Sequence, residues 1–152
     1  PHAPAVTAFQ VQDPDFEARV RKTFAGQPAL GTLGITLAQV GPGTLELRMP
    51  YDAKFSQQNG FLHGGVVSAG LDTACGLASY TLMPATADIL TVEFKINLLA
   101  PAKGQTFRFV GRVVKPGRRL VVSEGHAYAS EDGREKLIAT MSATMMTMLR
   151  QS

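Results

Sequence analysis

The sequence is poor in the residues and runs that mark secreted, membrane or disulfide-bonded proteins. Its 152 residues include one cysteine, Cys75, and no tryptophan. One cysteine cannot form an internal disulfide, and this usage is typical of a reducing cytoplasm. No apolar run reaches the roughly 18 uninterrupted residues that a membrane-spanning helix requires. The first 20 residues, with three prolines and three acids, are unlike a signal peptide, so we expect a cytoplasmic protein without a membrane segment.

Signatures of several other protein classes are also missing. The histidines, His2, His63 and His126, are scattered, and no histidine or cysteine pair has metal-ligand spacing. Neither the G-x-x-x-x-G-K-[ST] pattern of a P-loop nor the G-x-S-x-G pattern of an α/β-hydrolase occurs. A net charge of +3 and a pI near 9.3 favour an anionic ligand without indicating nucleic acid. We therefore expect no metal, no resident cofactor and no nucleic-acid partner.

The chain does contain enough apolar material for one folded domain. Hydrophobic residues make up 45% and charged residues 18% of the sequence, and the length suits a single domain. Residues 1–12 show no hydrophobic period and are predicted to form a flexible arm. Residues 13–152 are predicted to form a single domain, because no repeat, low-complexity segment or linker interrupts them.

A short amphipathic helix is predicted over residues 14–25. Asp13-Pro14 has the form of an N-cap followed by proline at the first helical position. Apolar residues follow at four-residue spacing, namely Phe16, Val20 and Phe24. Pro28 is expected to end the segment.

Six strands are predicted from alternating apolar and polar residues. Two of them form a hairpin around the turn at residues 41–43, and four more follow residue 87, joined by tight turns. One clean alternation places Val92, Phe94, Ile96 and Leu98 opposite Thr91, Glu93, Lys95 and Asn97. The last strand, 136–149, is predicted to place on one side Leu137, Ala139, Met141, Ala143 and Met145.

Between the two groups of strands lies one long helix, predicted over roughly 64–82. It is rich in alanine, glycine and serine, so neighbouring backbones can approach it closely. Four consecutive hairpin-linked strands form an antiparallel sheet, and the first hairpin must join it because a lone hairpin is only marginally stable. We therefore predict an α+β fold in which a curved antiparallel sheet of about six strands wraps around the central helix.

The central helix carries one acid, Asp72, in an otherwise uncharged run. A buried carboxylate is costly without a partner, so Asp72 is either a catalytic base or nucleophile or a structural carboxylate bonded to a neighbour. At the helix start, the free N–H groups and the absence of side chains at Gly64 and Gly65 would let a carbonyl oxygen approach. Gly64 N–H is thus a candidate oxyanion donor, although both glycines would also ease a tight loop-to-helix junction.

These residues resemble the hotdog-fold acyl-CoA thioesterases, and in particular the PaaI-like subgroup of the phenylacetate pathway. The resemblance rests on the order of elements, the loop Gly60-Phe61-Leu62-His63-Gly64-Gly65, and an acid seven residues after Gly65. It covers about residues 30–149. It implies thioester hydrolysis of an acyl-CoA, with CoA as part of the substrate rather than a cofactor. It leaves the acyl group open between aryl, short-chain and medium-chain, and CoA open against acyl carrier protein.

The resemblance also implies roles for residues around the helix. Gln57 aligns with a residue that orients the attacking water, and Asn59 competes for that role or contacts substrate. His63 would bond a loop carbonyl or the same water. Thr91 aligns with a hydroxyl residue that contacts the catalytic acid, but it is equally compatible with an ordinary strand residue. A basic turn would meet the phosphates of CoA or be merely solvated, and its members are Lys115, Arg118 and Arg119.

The spacing within the helix predicts a dimer. Gly64 and Asp72 are eight residues apart, about 12 Å along one helix at about 1.5 Å per residue, so one thioester carbonyl cannot easily reach both. Two antiparallel copies would bring Gly64 of one chain near Asp72 of the other, which predicts a two-fold dimer with two equivalent interface sites. The resemblance implies the same arrangement, often with dimers pairing into a homotetramer.

Two other functions are compatible with the same fold. An acyl-thioester dehydratase or hydratase would pair a histidine with an acid, and His63 and Asp72 could supply such a pair. A non-catalytic acyl-CoA-binding protein is the third possibility. For the acyl pocket, aromatic and apolar candidates are Phe55, Phe61, Leu62 and Met83, which core packing explains equally well.

Overall fold

The structure, a computed structural model, describes residues 9–151. The helices are α1 (Phe16–Ala25), α2 (Pro28–Leu33) and α3 (Gly64–Tyr80), with a short 3₁₀ turn at Ala53–Phe55. The strands are β1 (Thr36–Gly41), β2 (Thr44–Pro50), β3 (Ala87–Leu98), β4 (Thr106–Pro116), β5 (Leu120–Glu131) and β6 (Arg134–Leu149). They form one antiparallel sheet in the order β1-β2-β4-β5-β6-β3. The predicted hotdog arrangement, a curved sheet around one long helix, is confirmed.

The helix α3 lies against the sheet at a row of glycines. Gly111 of β4 pairs with Gly125 of β5, and a side chain at Gly111 would overlap the carbonyl oxygen of Ala74. A side chain at Gly125 would come within 2.9 Å of Cys75 Sγ. The sequence predicted that the small residues of α3 allow a close approach of neighbouring backbones. The glycines of the sheet provide the other side of this close contact.

A bulge in β3 changes which residues face the helix. Thr91 pairs with Met145 and Leu98 pairs with Ala139, with a register shift between Thr91 and Glu93. Met145 and Ala139 are both fully buried on the helix side. Thr91 and Leu98 therefore both face α3, whereas the predicted alternation put them on opposite faces. The extra residue of the bulge reverses the alternation partway along the strand.

A second bulge corrects the prediction for β6. Ala127 pairs with Ala139 but Tyr128 pairs with Leu137, so Ile138 is the extra residue. Leu137 is consequently 36% exposed while Ala139 is buried. The prediction that Leu137 shares the inner side with the later apolar residues of the strand is wrong for this reason.

The α1 helix begins two residues later than predicted, at Phe16, and Asp13 does not cap it. The Asp13 carboxylate accepts a hydrogen bond from the N–H of Asp15 at 2.9 Å. It also forms an ion pair with Arg19, with 3.0 Å between Oδ2 and Nε. Pro28 does more than end the helix, since it occupies the first turn of α2, where proline is favoured.

The region before α1 is only partly described. Residues 1–8 of the predicted flexible arm lie outside the described residues. Phe9 packs against the hydrophobic core, and Gln12 Nε2 donates a 2.8 Å hydrogen bond to the carbonyl of Leu82. In the part of the chain that the structure describes, each helix is too short or too polar to cross a membrane.

Candidate active site

Asp72 lies in the middle of α3 and has one side-chain partner among residues 9–151. The hydroxyl of Thr91 donates a hydrogen bond of 2.8 Å to Asp72 Oδ1. Asp72 itself is half-buried, so its second carboxylate oxygen can meet a ligand. The bulge in β3 positions Thr91 for this contact, because it turns Thr91 toward the helix.

A cleft of about 220 Å³ opens beside Asp72. Its walls come from three elements, α1, α3 and β3. Besides Asp72 and Thr91, its lining includes Thr23, Gln27, Thr73, Gly76, Leu77 and Ile89. The sequence analysis did not predict Thr23 and Gln27 as site residues, because they precede the region of family resemblance. The only signal for Thr23 was its position three residues after Val20, on the inner face of α1.

The start of α3 offers one free N–H group. His63 is the N-cap residue, and its Nδ1 accepts a 2.9 Å hydrogen bond from the N–H of Gly65. The N–H of Gly64 has no protein acceptor within residues 9–151. A side chain at Gly64 would meet Leu98 Cδ1 at 3.0 Å, so the position is crowded on that side. Gly64, rather than Gly65, thus has the donor that a ligand could use at the positive end of the helix.

A second cleft, of about 430 Å³, lies beside Gly64. Gln57, Asn59, Phe61 and Leu98 contribute to it. The Gln57 side chain accepts hydrogen bonds through Oε1 from the N–H groups of Asn59, at 2.5 Å, and Phe61, at 3.3 Å. With that oxygen engaged in the loop, the amide nitrogen of Gln57 remains as a donor toward the cleft.

The two clefts do not share a lining residue. Asp72 and Gly64 therefore do not converge on one ligand within a single chain. His63 is nine residues before Asp72, which places the two on opposite sides of a helix and about 13 Å apart along its axis. His63 and Asp72 of one chain are accordingly not an acid–base pair.

The basic turn lines a groove on the outer face of the sheet. Lys115, Arg118 and Arg119 form one side of this groove, which measures about 950 Å³. Within the described residues, no carboxylate lies within 4 Å of these cations. The groove also includes Met146, which pairs with Leu90 next to Thr91. The groove of the unpaired cations thus extends to β6, the strand next to β3, whereas the Asp72 cleft lies between β3 and the helices.

The remaining candidates belong to the core or to the Gly64 cleft. Burial raises the pKa of the Cys75 thiol to about 12, so the thiol stays protonated near neutral pH and is poorly suited to be a nucleophile. Met83 is buried in the core and lines neither cleft. Phe61 and Leu62 line the cleft beside Gly64.

Comparison with known proteins identifies the family of this chain. A family profile described as "Thioesterase superfamily" matches residues 59–136, just over half of the chain. A provisionally named esterase from Saccharolobus solfataricus is 37% identical over 107 residues, covering 70% of this chain and 69% of that protein.

Two solved structures extend the similarity to the whole fold. A thioesterase family protein from Silicibacter pomeroyi is 51% identical with a TM-score of 0.88, covering 89% of this chain and 99% of that one. A provisionally named thioesterase from Ralstonia eutropha, described as related to phenylacetic acid degradation, is 28% identical with a TM-score of 0.74. It covers 86% of this chain and 98% of that one.

Proposed function

This chain belongs to the thioesterase superfamily and is a thioester hydrolase of the hotdog fold, and on that premise we propose that it hydrolyses acyl-CoA. The acyl group is an aryl or a short- to medium-chain one. The catalytic unit is a two-fold dimer, in which each site takes Asp72 from one chain and Gly64 from the other. A tetramer of two such dimers would contain twice as many sites.

The separation of the two clefts carries this proposal. An ester-type hydrolysis needs a base or nucleophile and an oxyanion donor on the same carbonyl. Asp72 and Gly64 face different clefts of one chain. A second copy that brings the two clefts together supplies both groups to one carbonyl.

The edge strand β3 supports a specific way of joining the copies. Among residues 9–151 it pairs with β6 on one side only, and it exposes Val92, Phe94 and Leu98 by 43–58%. Thr91 marks the Asp72 end of this strand and Leu98 the Gly64 end. Antiparallel pairing of two β3 edges, centred near Phe94, would place Thr91 opposite Leu98 of the partner subunit. Asp72 would then lie near Gly64 of the partner subunit.

The reaction follows from these positions. The Asp72 carboxylate takes a proton from a water molecule, whose oxygen attacks the thioester carbon. The N–H of Gly64 of the partner subunit donates to the resulting oxyanion. The C–S bond then breaks, and the protonated Asp72 returns its proton to the CoA thiolate. Thr91 holds one Asp72 oxygen, and the amide nitrogen of Gln57 of the partner subunit, which lies in the same cleft as Gly64, orients the water.

CoA is the favoured thiol because of the basic groove. Its phosphates need cations at the mouth of the site. Lys115, Arg118 and Arg119 are free of carboxylate partners in the described part of the chain, and their groove extends to β6, the strand that pairs with β3. A thioester whose CoA part lies in this groove would have to pass β3 to reach Asp72.

Mixed dimers test whether the site is shared. One chain carries Asp72→Asn. The other carries Gly64→Pro, which removes the N–H at a position where a helix accepts proline, with Gly64→Ala as the control that adds a Cβ but keeps the N–H. Each chain bears a different affinity tag, and dimers carrying both tags are assayed for thiol release from acyl-CoAs.

A site shared between two chains and a site within one chain predict different rates for the mixed dimer. Each variant alone loses at least about 10²-fold in kcat, and the mixed dimer recovers about half of the wild-type rate, because one of its two sites is intact. An inactive mixed dimer would show that both groups act within one chain. Hydration of an enoyl-CoA without thiol release, or binding without turnover, would contradict hydrolysis itself.

A further inference from the structure

We infer that Tyr51 is a positioning residue, whose hydroxyl holds the surface loop that carries Gln57. Residues 57–61 form this loop, called the Gln57 loop below. The inference rests on the proposed function, because it takes Gln57 as the residue that orients the attacking water. Tyr51 is not among the residues that line the cleft beside Gly64, so it acts through Gln57 and does not touch the substrate.

The first support is that Gln57 is bound into this loop through both its backbone and its side chain. Its N–H donates to the carbonyl of Phe61 at 2.8 Å, and its carbonyl accepts from the N–H of Gly60 at 2.9 Å. Its side-chain oxygen Oε1 accepts from the N–H groups of Asn59 and Phe61. A movement of the loop therefore moves the Gln57 amide nitrogen with it.

The second support is that one side chain ties the Gln57 loop to the rest of the fold. The Tyr51 hydroxyl donates a 2.7 Å hydrogen bond to the carbonyl of Gly60. Within residues 9–151, this is the one hydrogen bond that joins the Gln57 loop to another part of the chain. The middle of the loop is exposed to solvent. Without the Tyr51 hydroxyl, the loop would therefore open more easily as a unit.

The third support is that Tyr51 is itself fixed, as a positioning residue must be. It directly follows β2, and its N–H donates to the carbonyl of Gln105 at 2.8 Å. Its ring packs against the hydrophobic core. Met49, two residues earlier, is only 1% exposed. The hydroxyl thus extends from the rigid end of β2 to the Gln57 loop.

Removal of this hydroxyl should affect the rate more than the stability. The carbonyl of Gly60 is exposed, so water can replace the Tyr51 hydroxyl as its donor, and little stability is lost. The attacking water, by contrast, must be placed accurately against the thioester carbon. A misplacement of about 1 Å can cost up to about 100-fold in rate.

The experiment measures thiol release from an acyl-CoA by Tyr51→Phe, which removes the hydroxyl and keeps the ring. Gln57→Leu removes the amide, and a double variant combines both changes. Tyr80→Phe is the matched control. The Tyr80 hydroxyl also donates to a backbone carbonyl, that of Ala87 at 3.0 Å, but Tyr80 lines neither cleft. Asp72→Asn is assayed in parallel.

Tyr51→Phe should lower kcat about 10-fold and leave KM within about two-fold, because the contacts with substrate are kept. In the Gln57→Leu background, the same change should not lower kcat further, because the group that Tyr51 positions is already absent. Hydrogen exchange of residues 57–61 should become about five-fold faster in Tyr51→Phe. Tyr80→Phe should lower the unfolding midpoint and leave both kcat and this exchange rate unchanged.

Two kinds of negative result are distinguishable. If hydrolysis depends on Asp72 but Tyr51→Phe keeps its kcat, lowers kcat equally in both backgrounds or leaves the exchange rate unchanged, the positioning role is overturned and the proposed function stands. If no acyl-CoA is hydrolysed, or if Asp72→Asn keeps its rate, the proposed function fails and the inference fails with it.

Discussion

The hydroxyl of Thr91 donates a 2.8 Å hydrogen bond to Oδ1 of Asp72, from a strand to the middle of the central helix. This contact depends on the bulge between Thr91 and Glu93. Without the extra residue, Thr91 and Leu98 would lie on opposite faces of β3. The bulge therefore lets one strand contact both Asp72 and, seven residues later, the start of the helix at Gly64.

Replacing Thr91 tests whether this hydrogen bond positions the carboxylate. Thr91→Val keeps the shape of the side chain but removes the donor, so we expect kcat to fall about 10-fold with KM nearly unchanged. Thr91→Ser should retain most of the rate because it keeps the hydroxyl. Steady-state kinetics with a saturating acyl-CoA give the answer, and equal rates for the valine and serine variants would contradict a positioning role.

Neutralising the basic turn tests the binding of CoA phosphates. Arg118→Gln with Arg119→Gln should raise KM for an acyl-CoA about 10-fold at low salt, and the effect should shrink as salt rises because exposed charges are screened. The same acyl group on N-acetylcysteamine, which has no phosphates, should be unaffected. Arg134→Gln with Lys136→Gln, at the far hairpin, is the matched control. An equal loss for both thioesters would argue against phosphate recognition.

The contact between α3 and the sheet makes Gly111 intolerant of a side chain. Gly111→Ala places a methyl group on the Ala74 carbonyl, so we expect the free energy of unfolding to fall by about 3 kcal/mol. Gly31→Ala, in α2, meets nothing within 4 Å and should be neutral or slightly stabilising. Urea unfolding followed by circular dichroism measures both. Similar unfolding midpoints would mean that the helix can move away from the sheet.

The outline of this fold was predictable because its signals are local. Turn residues separate the strands, small residues mark the central helix, and the lone acid stands out at Asp72. The bulges were not predictable, because an inserted residue leaves no mark in an alternating sequence. For that reason Leu137 was assigned to the wrong face. Thr91 was assigned its contact with Asp72 by resemblance alone, while its apparent face contradicted that contact.

The candidate site was predictable only in part, for a related reason. Gly64 at the start of α3 and Asp72 in its middle, with the spacing between them, could be identified from the sequence. The cleft beside Asp72 also depends on Thr23 and Gln27, which approach through the packing of α1 and carry no motif. The same is true of Gly125, whose importance appears only where it faces Cys75 across the core. Contacts of this kind join residues that are distant in the sequence, and they leave no local sequence pattern.

The buried thiol predicts a pH dependence of stability. Burial raises the pKa of Cys75 from 9.0 to about 12, so the folded chain favours the protonated thiol. The associated stability is fully present below pH 9 and is lost as the pH rises from about 9 toward 12. We expect the free energy of unfolding to fall more steeply over this window in the wild type than in Cys75→Ala. Parallel slopes in urea unfolding would exclude the thiol as the cause.

The exposed edge of β3 also has a consequence for the solubility of a single copy of the chain. A newly folded copy exposes unpaired backbone groups between apolar side chains, and such an edge can pair with any other strand. Joining two of these edges would both complete the catalytic sites and remove the surface that promotes aggregation. Solubility and turnover would then depend on the same protein concentration. Dilution would separate the two chains, which would both abolish activity and expose the aggregation-prone strand.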